Sequence, residues 1–131
     1  MKQGQTGTLT QNKDFRTLYY HGRSQVHPLL VTYARKNKLG YCRIGITTGK
    51  KLGKAVQRNR CRRLIREAYR TLSPAPKGGW DIVFVARGRM VQSSMMKVRG
   101  VMGKQLSALS VVAQSGAPRS GGGLSGEKAA H

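Results

Sequence analysis

Acidic residues are nearly absent from this chain. Of 131 residues only 4 are Asp or Glu, against 25 Lys and Arg, which leaves a formal charge of +21. A two-metal nuclease centre needs several converging carboxylates to hold its ions, and Asp14, Glu67, Asp81 and Glu127 are too scattered to furnish one. Asp14 and Glu67 read as helix-surface charges, Asp81 opens a strand, and Glu127 lies in the tail. Cysteine is as scarce. The spacing of Cys42 and Cys61 fits neither a disulfide framework nor a zinc pattern, so both read as reduced thiols. His21, His27 and His131 form no helical i, i+4 pair, and no metal site is expected. A His21/His27 acid–base pair is conceivable, but loop histidines are more often surface residues. The charge excess implies a nucleic-acid or anionic-membrane partner; long apolar runs are missing too, which excludes a bilayer span, and no membrane partner is expected. Met1 to Gln11 lacks the apolar core of a secretory signal, while its composition leaves a transit peptide open. We expect a structured start. Gly49-Lys50-Lys51 lacks the Ser or Thr of a phosphate loop, and Gly45 stands one residue too close. The chain reads as a binder rather than a catalyst.

What the chain has in excess is concentrated between Lys50 and Arg70. A basic loop with Lys50, Lys51 and Lys54 runs into a proline-free stretch containing Arg58, Arg60, Arg62, Arg63, Arg66 and Arg70. At ~100° per residue, Cys61, Leu64, Ile65, Ala68 and Leu72 fall within an arc of about 100°, a core-facing stripe. Asn59, Arg62, Arg63, Arg66 and Arg70 gather on the opposite side, and Arg58 and Arg60 flank the stripe. Only Glu67 offsets six arginines here. Solvated helices ordinarily mix both signs of charge. So one-sided a comb repels itself until a polyanion neutralises it, and the arrangement points to phosphate binding.

The remaining elements follow from periodicity and breakers. Asn12 is placed to cap a short helix, in which Phe15, Leu18 and Tyr19 share one face and which Gly22 ends. Leu29–Ala34 and Tyr41–Thr47 have strand composition, with a turn at Asn37–Gly40 and Gly45 marking a bulge or close packing. After the breaker Ser73–Gly79, Asp81–Ala86 is a continuous apolar run, as expected of a strand buried on both faces. A last helix spans about Ser93 to Ala113, with Met95, Val98, Met102, Leu106 and Leu109 as its stripe. One domain over residues 1–113 and a disordered low-complexity tail over 114–131 are expected. The order α-β-β-α-β-α describes a small α+β sandwich, a central sheet with helices packed on it.

The motif Lys50-Lys51-x-Gly53-x-Ala55-Val56-x-Arg58-Asn59-Arg60-x-x-Arg63-x-x-Arg66-Glu67 resembles the signature of the protein subunit of bacterial ribonuclease P. Asn12-x-Asp14-Phe15, His21-Gly22-x-Ser24 and Arg43-Ile44-Gly45 are also similar to that family, and the likeness runs in order and spacing from Leu9 to Leu109. Two positions depart from the pattern: Cys61 stands where an aliphatic residue is usual, and Thr8 where a basic residue is frequent.

The resemblance implies an α-β sandwich with a left-handed βαβ crossover, a rare hand for parallel strands, whose helix contacts a catalytic RNA subunit. It implies that the RNA carries the chemistry that removes the 5′ leader of precursor tRNA. Magnesium would then belong to the RNA-containing holoenzyme, with no cofactor bound by the protein alone. Lys50, Lys51, Lys54, Arg58, Asn59, Arg60, Arg62, Arg63, Arg66 and Arg70 would face the catalytic RNA. A cleft between the first helix and the sheet would take the leader at Phe15, Tyr19 and Tyr33, because unpaired bases stack on aromatic rings with little sequence preference. Phe15 is expected to be the more buried of the three. A cytoplasmic location is expected, and no obligate protein partner is evident. A structural RNA-binding protein of ribosomal type, or a DNA-binding architectural protein, fits the composition as well but leaves the central motif unexplained.

Overall fold

Strand Trp80–Ala86 runs through the middle of the molecule and is covered on both sides. The computed structural model describes residues 6–9, 11–73, 76 and 78–111. In chain order these form β1 (Thr6–Thr8), α1 (Asn12–His21), β2 (Arg23–Val26), β3 (Leu30–Lys36), β4 (Cys42–Thr47), α2 (Ala55–Arg70), β5 (Trp80–Ala86) and α3 (Met95–Ala108). Short 3-10 turns at Lys50–Leu52 and Gly88–Gln92 precede α2 and α3. The sheet order is β1-β4-β5-β3-β2. β4 lies parallel to both β1 and β5, while β3 runs antiparallel to β5 and β2. The β4–α2–β5 segment is therefore a parallel crossover unit that carries the basic helix.

Alternation along β5 assigns its side chains to two clusters. Ile82, Phe84 and Ala86 pack with Cys61, Ile65 and Ala68 of α2 and with Val98, Met102 and Leu106 of α3. Val83 and Val85 turn the other way, toward Leu9, Phe15, Leu18 and Tyr33. Helices α2 and α3 thus cover one face of the sheet and α1 the other. Each fully buried aliphatic or aromatic side chain contributes about 1.5–3 kcal/mol, so the larger cluster dominates the stability. Thr32, Ser93 and Gln105 are polar side chains buried with it, and Gln105 is the one that joins elements. Gln105 accepts a hydrogen bond from the Thr32 hydroxyl (2.6 Å) and donates to the carbonyls of Leu30 (2.8 Å) and Gln25 (3.1 Å). That single side chain ties α3 to the β2–β3 hairpin.

Three expectations need correction. The order α-β-β-α-β-α omitted β1 and β2, which are short, polar segments (TGT and RSQV). They are strands because neighbours pair with them, not because of composition. Gln11, not Asn12, holds the N-cap position of α1, and without a side-chain bond. Gly22 does end α1, as expected, in extended geometry (φ −79°). Finally, α3 starts after Ser94, whose hydroxyl accepts from the Lys97 N–H (3.3 Å), and ends by Leu109. Ser110 adopts φ +66° there, and Val111 and Ser110 donate to the carbonyls of Leu106 and Ser107. This is a Schellman closure with serine where glycine usually signals it. The expected tail over 114–131 lies outside the described residues.

Replacing Gln105 with alanine strands the buried Thr32 hydroxyl and leaves the Leu30 carbonyl with only the bond from the His27 N–H. We expect a destabilisation of about 2–3 kcal/mol, measured as a lower urea midpoint at unchanged slope.

Candidate nucleic-acid interface

The basic segment is held in place by local geometry. Leu52 is buried and anchors the 3-10 turn. Gly53 follows at φ +120°, a conformation that a side chain would strain. The Lys54 N–H donates to Gln57 Oε1 (3.0 Å), and Arg58 donates to the Gly53 carbonyl (3.2 Å), so the loop is stitched to the first turn of α2. Lys50, Lys51 and Lys54 are all exposed.

Helix α2 then presents its arginines unequally. Cys61, Ile65 and Ala68 are buried, as the expected stripe requires. Asn59, Arg63, Arg66 and Arg70 are exposed or half-buried along the outer side, with Arg62 half-buried beside them. Arg70 is paired with Glu67. Arg60 turns inward: its guanidinium donates to the carbonyls of Val91 (2.9 Å) and Ser93 (2.7 Å) and fastens α2 to the Gly88–Gln92 turn. Among the described residues no ion pair involves Arg62, Arg63 or Arg66. These three form the part of the comb left for an external anion.

The aromatic residues meet on the opposite face of the sheet. Gly45 makes this approach possible, because a Cβ there would lie 2.8 Å from the Phe15 ring and 3.2 Å from Leu9 Cβ. Close packing, rather than a bulge, accounts for this glycine. Phe15 is half-buried against Leu9, Leu18 and Val83. Tyr19 stands one helical turn on, 41 % exposed. Its ring meets that of Tyr33 edge-on at 4.9 Å and 71°, and its hydroxyl shares a hydrogen bond with Thr47 Oγ1 (3.3 Å). The three expected residues do converge. Thr47 is a contributor that no local pattern signalled, since only the pairing of β4 brings it there.

The acids among the described residues are all committed to arginine. Arg43 grips Asp81 through two hydrogen bonds (2.9 and 2.7 Å) and lies 3.9 Å from Asp14, while Glu67 pairs with Arg70. Asn37 adds a third bond to Asp81 (2.8 Å). Among the described residues no group of three or more His, Cys, Asp or Glu is gathered at one place. The arrangement offers cation-rich surfaces and stacking rings, which suit binding.

The family model for Ribonuclease P matches residues 4–110. The chain belongs to the ribonuclease P protein family. The ribonuclease P protein component of Clostridioides difficile (strain 630) is 52% identical over 83 residues, covering 63% of this chain and 73% of that protein. The solved structure of the Staphylococcus aureus RNase P protein superposes with a TM-score of 0.71 at 30% identity, over 79% of this chain and 95% of that one. The RNase P protein from Thermotoga maritima gives 0.67 at 29% identity, over 82% and 98%. Within this ribonuclease P protein fold the two departures are easily placed. Cys61 is fully buried in the main core, where it acts as a small hydrophobe, and burial pushes its thiol pKa up. Thr8 is exposed on β1, beside Arg62 and Arg66 around a pocket of about 320 Å³.

The Arg43–Asp81 pair has a pH signature. Burial pushes the Asp81 carboxyl up, but the bonds from Arg43 and Asn37 and the charges of Arg43 and Arg35 outweigh it and hold the pKa below the usual value. A folded pKa below the unfolded one gives stability that is full above about pH 4 and is lost as pH falls through the folded value. Asp81→Asn should cost about 1–2 kcal/mol at pH 7. Urea unfolding should show the gap between wild type and variant closing at acid pH; a gap that is constant with pH would contradict the assignment.

Proposed function

We propose that this ribonuclease P protein component works by holding two RNA surfaces at once. The catalytic RNA lies along α2 and the basic loop, at Lys50, Lys51, Lys54, Asn59, Arg62, Arg63 and Arg66. The 5′ leader of precursor tRNA lies along the junction of α1 with the sheet, at Tyr19 and Tyr33, with Phe15 supporting them from beneath. Arg58, Arg60 and Arg70 shape the helix and its contacts and lend charge. Cleavage of the leader belongs to the RNA, with the magnesium that the holoenzyme requires. The cytoplasm is the proposed setting; among the described residues, no helix is long and apolar enough to cross a membrane.

The observation that carries this reading is the separation of the two surfaces. Arg62, Arg63 and Arg66, which have no carboxylate partner, sit on the helix that covers one face of the sheet, and the paired tyrosines sit on the other. A rigid sheet between them fixes the distance from one RNA to the other. Phosphate contacts then position, without reading sequence, and stacking tolerates any leader base.

Two sets of substitutions should therefore dissociate. Changing Arg62, Arg63 and Arg66 together to alanine should leave the fold intact and weaken binding of the catalytic RNA. The salt dependence should flatten by roughly 0.7–0.9 in slope for each phosphate that is no longer neutralised. Tyr19→Ala and Tyr33→Ala should each weaken precursor tRNA binding by the reconstituted enzyme about fivefold or more, since a stacked base contributes on the order of 1–3 kcal/mol. The rings touch, so the double substitution should be non-additive. Mature tRNA and catalytic RNA should bind these tyrosine variants as before. Equal weakening for precursor and mature tRNA, or an unchanged salt slope in the triple arginine variant, would overturn the reading.

A further inference from the structure

A second cationic surface lies away from both sites. The β2–β3 hairpin, the Gly88–Gln92 turn and α3 enclose an open groove of about 890 Å³. Its lining includes His27, Arg89, Lys97 and Lys104 and no acidic residue. Lys97, Gly100, Val101 and Lys104 follow the i, i+3, i+4, i+7 spacing of one helical face, so the two ammonium groups rise from the same wall, roughly 10 Å apart along the axis. Neither lysine appears in any ion pair of the described residues.

Gly100 is the informative residue. Glycine in a helix interior weakens the helix, and such a position normally has a packing reason. Here there is none among the described residues: a Cβ built at Gly100 has nothing of theirs within 4 Å. Gly45 shows the contrasting case, with a ring pressed against it. Gly100 leaves a flat, open floor between two lysines. That shape suits close approach by something the described residues do not supply, and the charge of the walls requires it to be anionic.

The groove is also preformed and joined to the basic helix. Gln105 bonds to Gln25 and Leu30 and so locks α3 against the hairpin. Arg60 of α2 grips the Val91 and Ser93 carbonyls and so holds the turn that carries Arg89. The turn thus links α2 to the groove, on the side of the sheet away from the tyrosines. We propose that this groove is a second seat for the catalytic RNA, which lays a stretch of its phosphate backbone over Gly100 between Lys97 and Lys104. This rests on the reading of α2 as the catalytic-RNA face, and it enlarges that footprint to α3.

The test uses the full chain and the catalytic RNA, with three variants in one titration series. Lys97→Ala combined with Lys104→Ala should lower the affinity several-fold and reduce the salt slope by roughly 1.4–1.8, the equivalent of two phosphates. Gly100→Leu should raise the thermal midpoint, because leucine favours the helix and its Cβ meets none of the described residues, yet weaken the RNA complex by filling the groove. The triple alanine variant of Arg62, Arg63 and Arg66 is the reference for α2. Weaker binding in all three supports the inference. Weaker binding in the arginine variant alone overturns the inference and leaves α2 as the RNA face. Unchanged binding in every variant overturns both. If the groove variants bind precursor tRNA poorly in the reconstituted enzyme while binding the catalytic RNA normally, the seat belongs to substrate and the proposal fails.

Discussion

Burial of β5 on both faces is the constraint from which the rest follows. Its alternate residues feed two clusters, so helices must cover the sheet on both sides. The parallel pairing of β4 with β5 requires a crossover, and α2 is that crossover. The helix with the densest arginine is therefore also a core element. Its buried stripe, Cys61, Ile65 and Ala68, fixes the rotation of the helix and hence where Arg63 and Arg66 point. A change that loosened the stripe would scatter the charges as well as weaken the fold.

The charge imbalance shapes what can be spared for binding. With 25 basic residues and 4 acidic ones, the folded chain pushes against itself. Two of the three described acids hold elements together: Asp81 joins β5 to β4 through Arg43, and Asp14 brings α1 near the same arginine. Backbone carbonyls take up Arg58 and Arg60. The cations left over include the outer row of α2, the basic loop before it, and the lysines of α3. A polyanion that neutralises these rows also relieves the repulsion between them, so binding and stability are linked.

Much of this was legible from periodicity alone. The stripe of α2, the two-sided strand and the apolar face of α3 all follow from the spacing of side chains, because burial imposes that spacing. Beyond the reach of periodicity were features set by distant parts of the chain. Thr6–Thr8 and Arg23–Val26 have no apolar alternation, and only pairing with β4 and β3 makes them strands. Arg60 looked like one more member of the comb; the carbonyls that claim it lie some thirty residues away. Convergence of Phe15, Tyr19 and Tyr33 came from the family resemblance, since an i, i+4 pair on α1 says nothing of which strand it will meet. The end of α3 was missed because serine, not glycine, takes the left-handed position.

The central claim is that the protein positions RNA while RNA performs cleavage. The most direct measurement is the rate of leader removal from precursor tRNA at low magnesium, for catalytic RNA alone, protein alone and the two reconstituted. The account predicts negligible cleavage from RNA-free protein and slow cleavage from the RNA. Reconstitution should accelerate it strongly, and the acceleration should disappear when Arg62, Arg63 and Arg66 are replaced together. Cleavage by protein rigorously freed of RNA, abolished by substitution of Asp14 or Asp81, would contradict it.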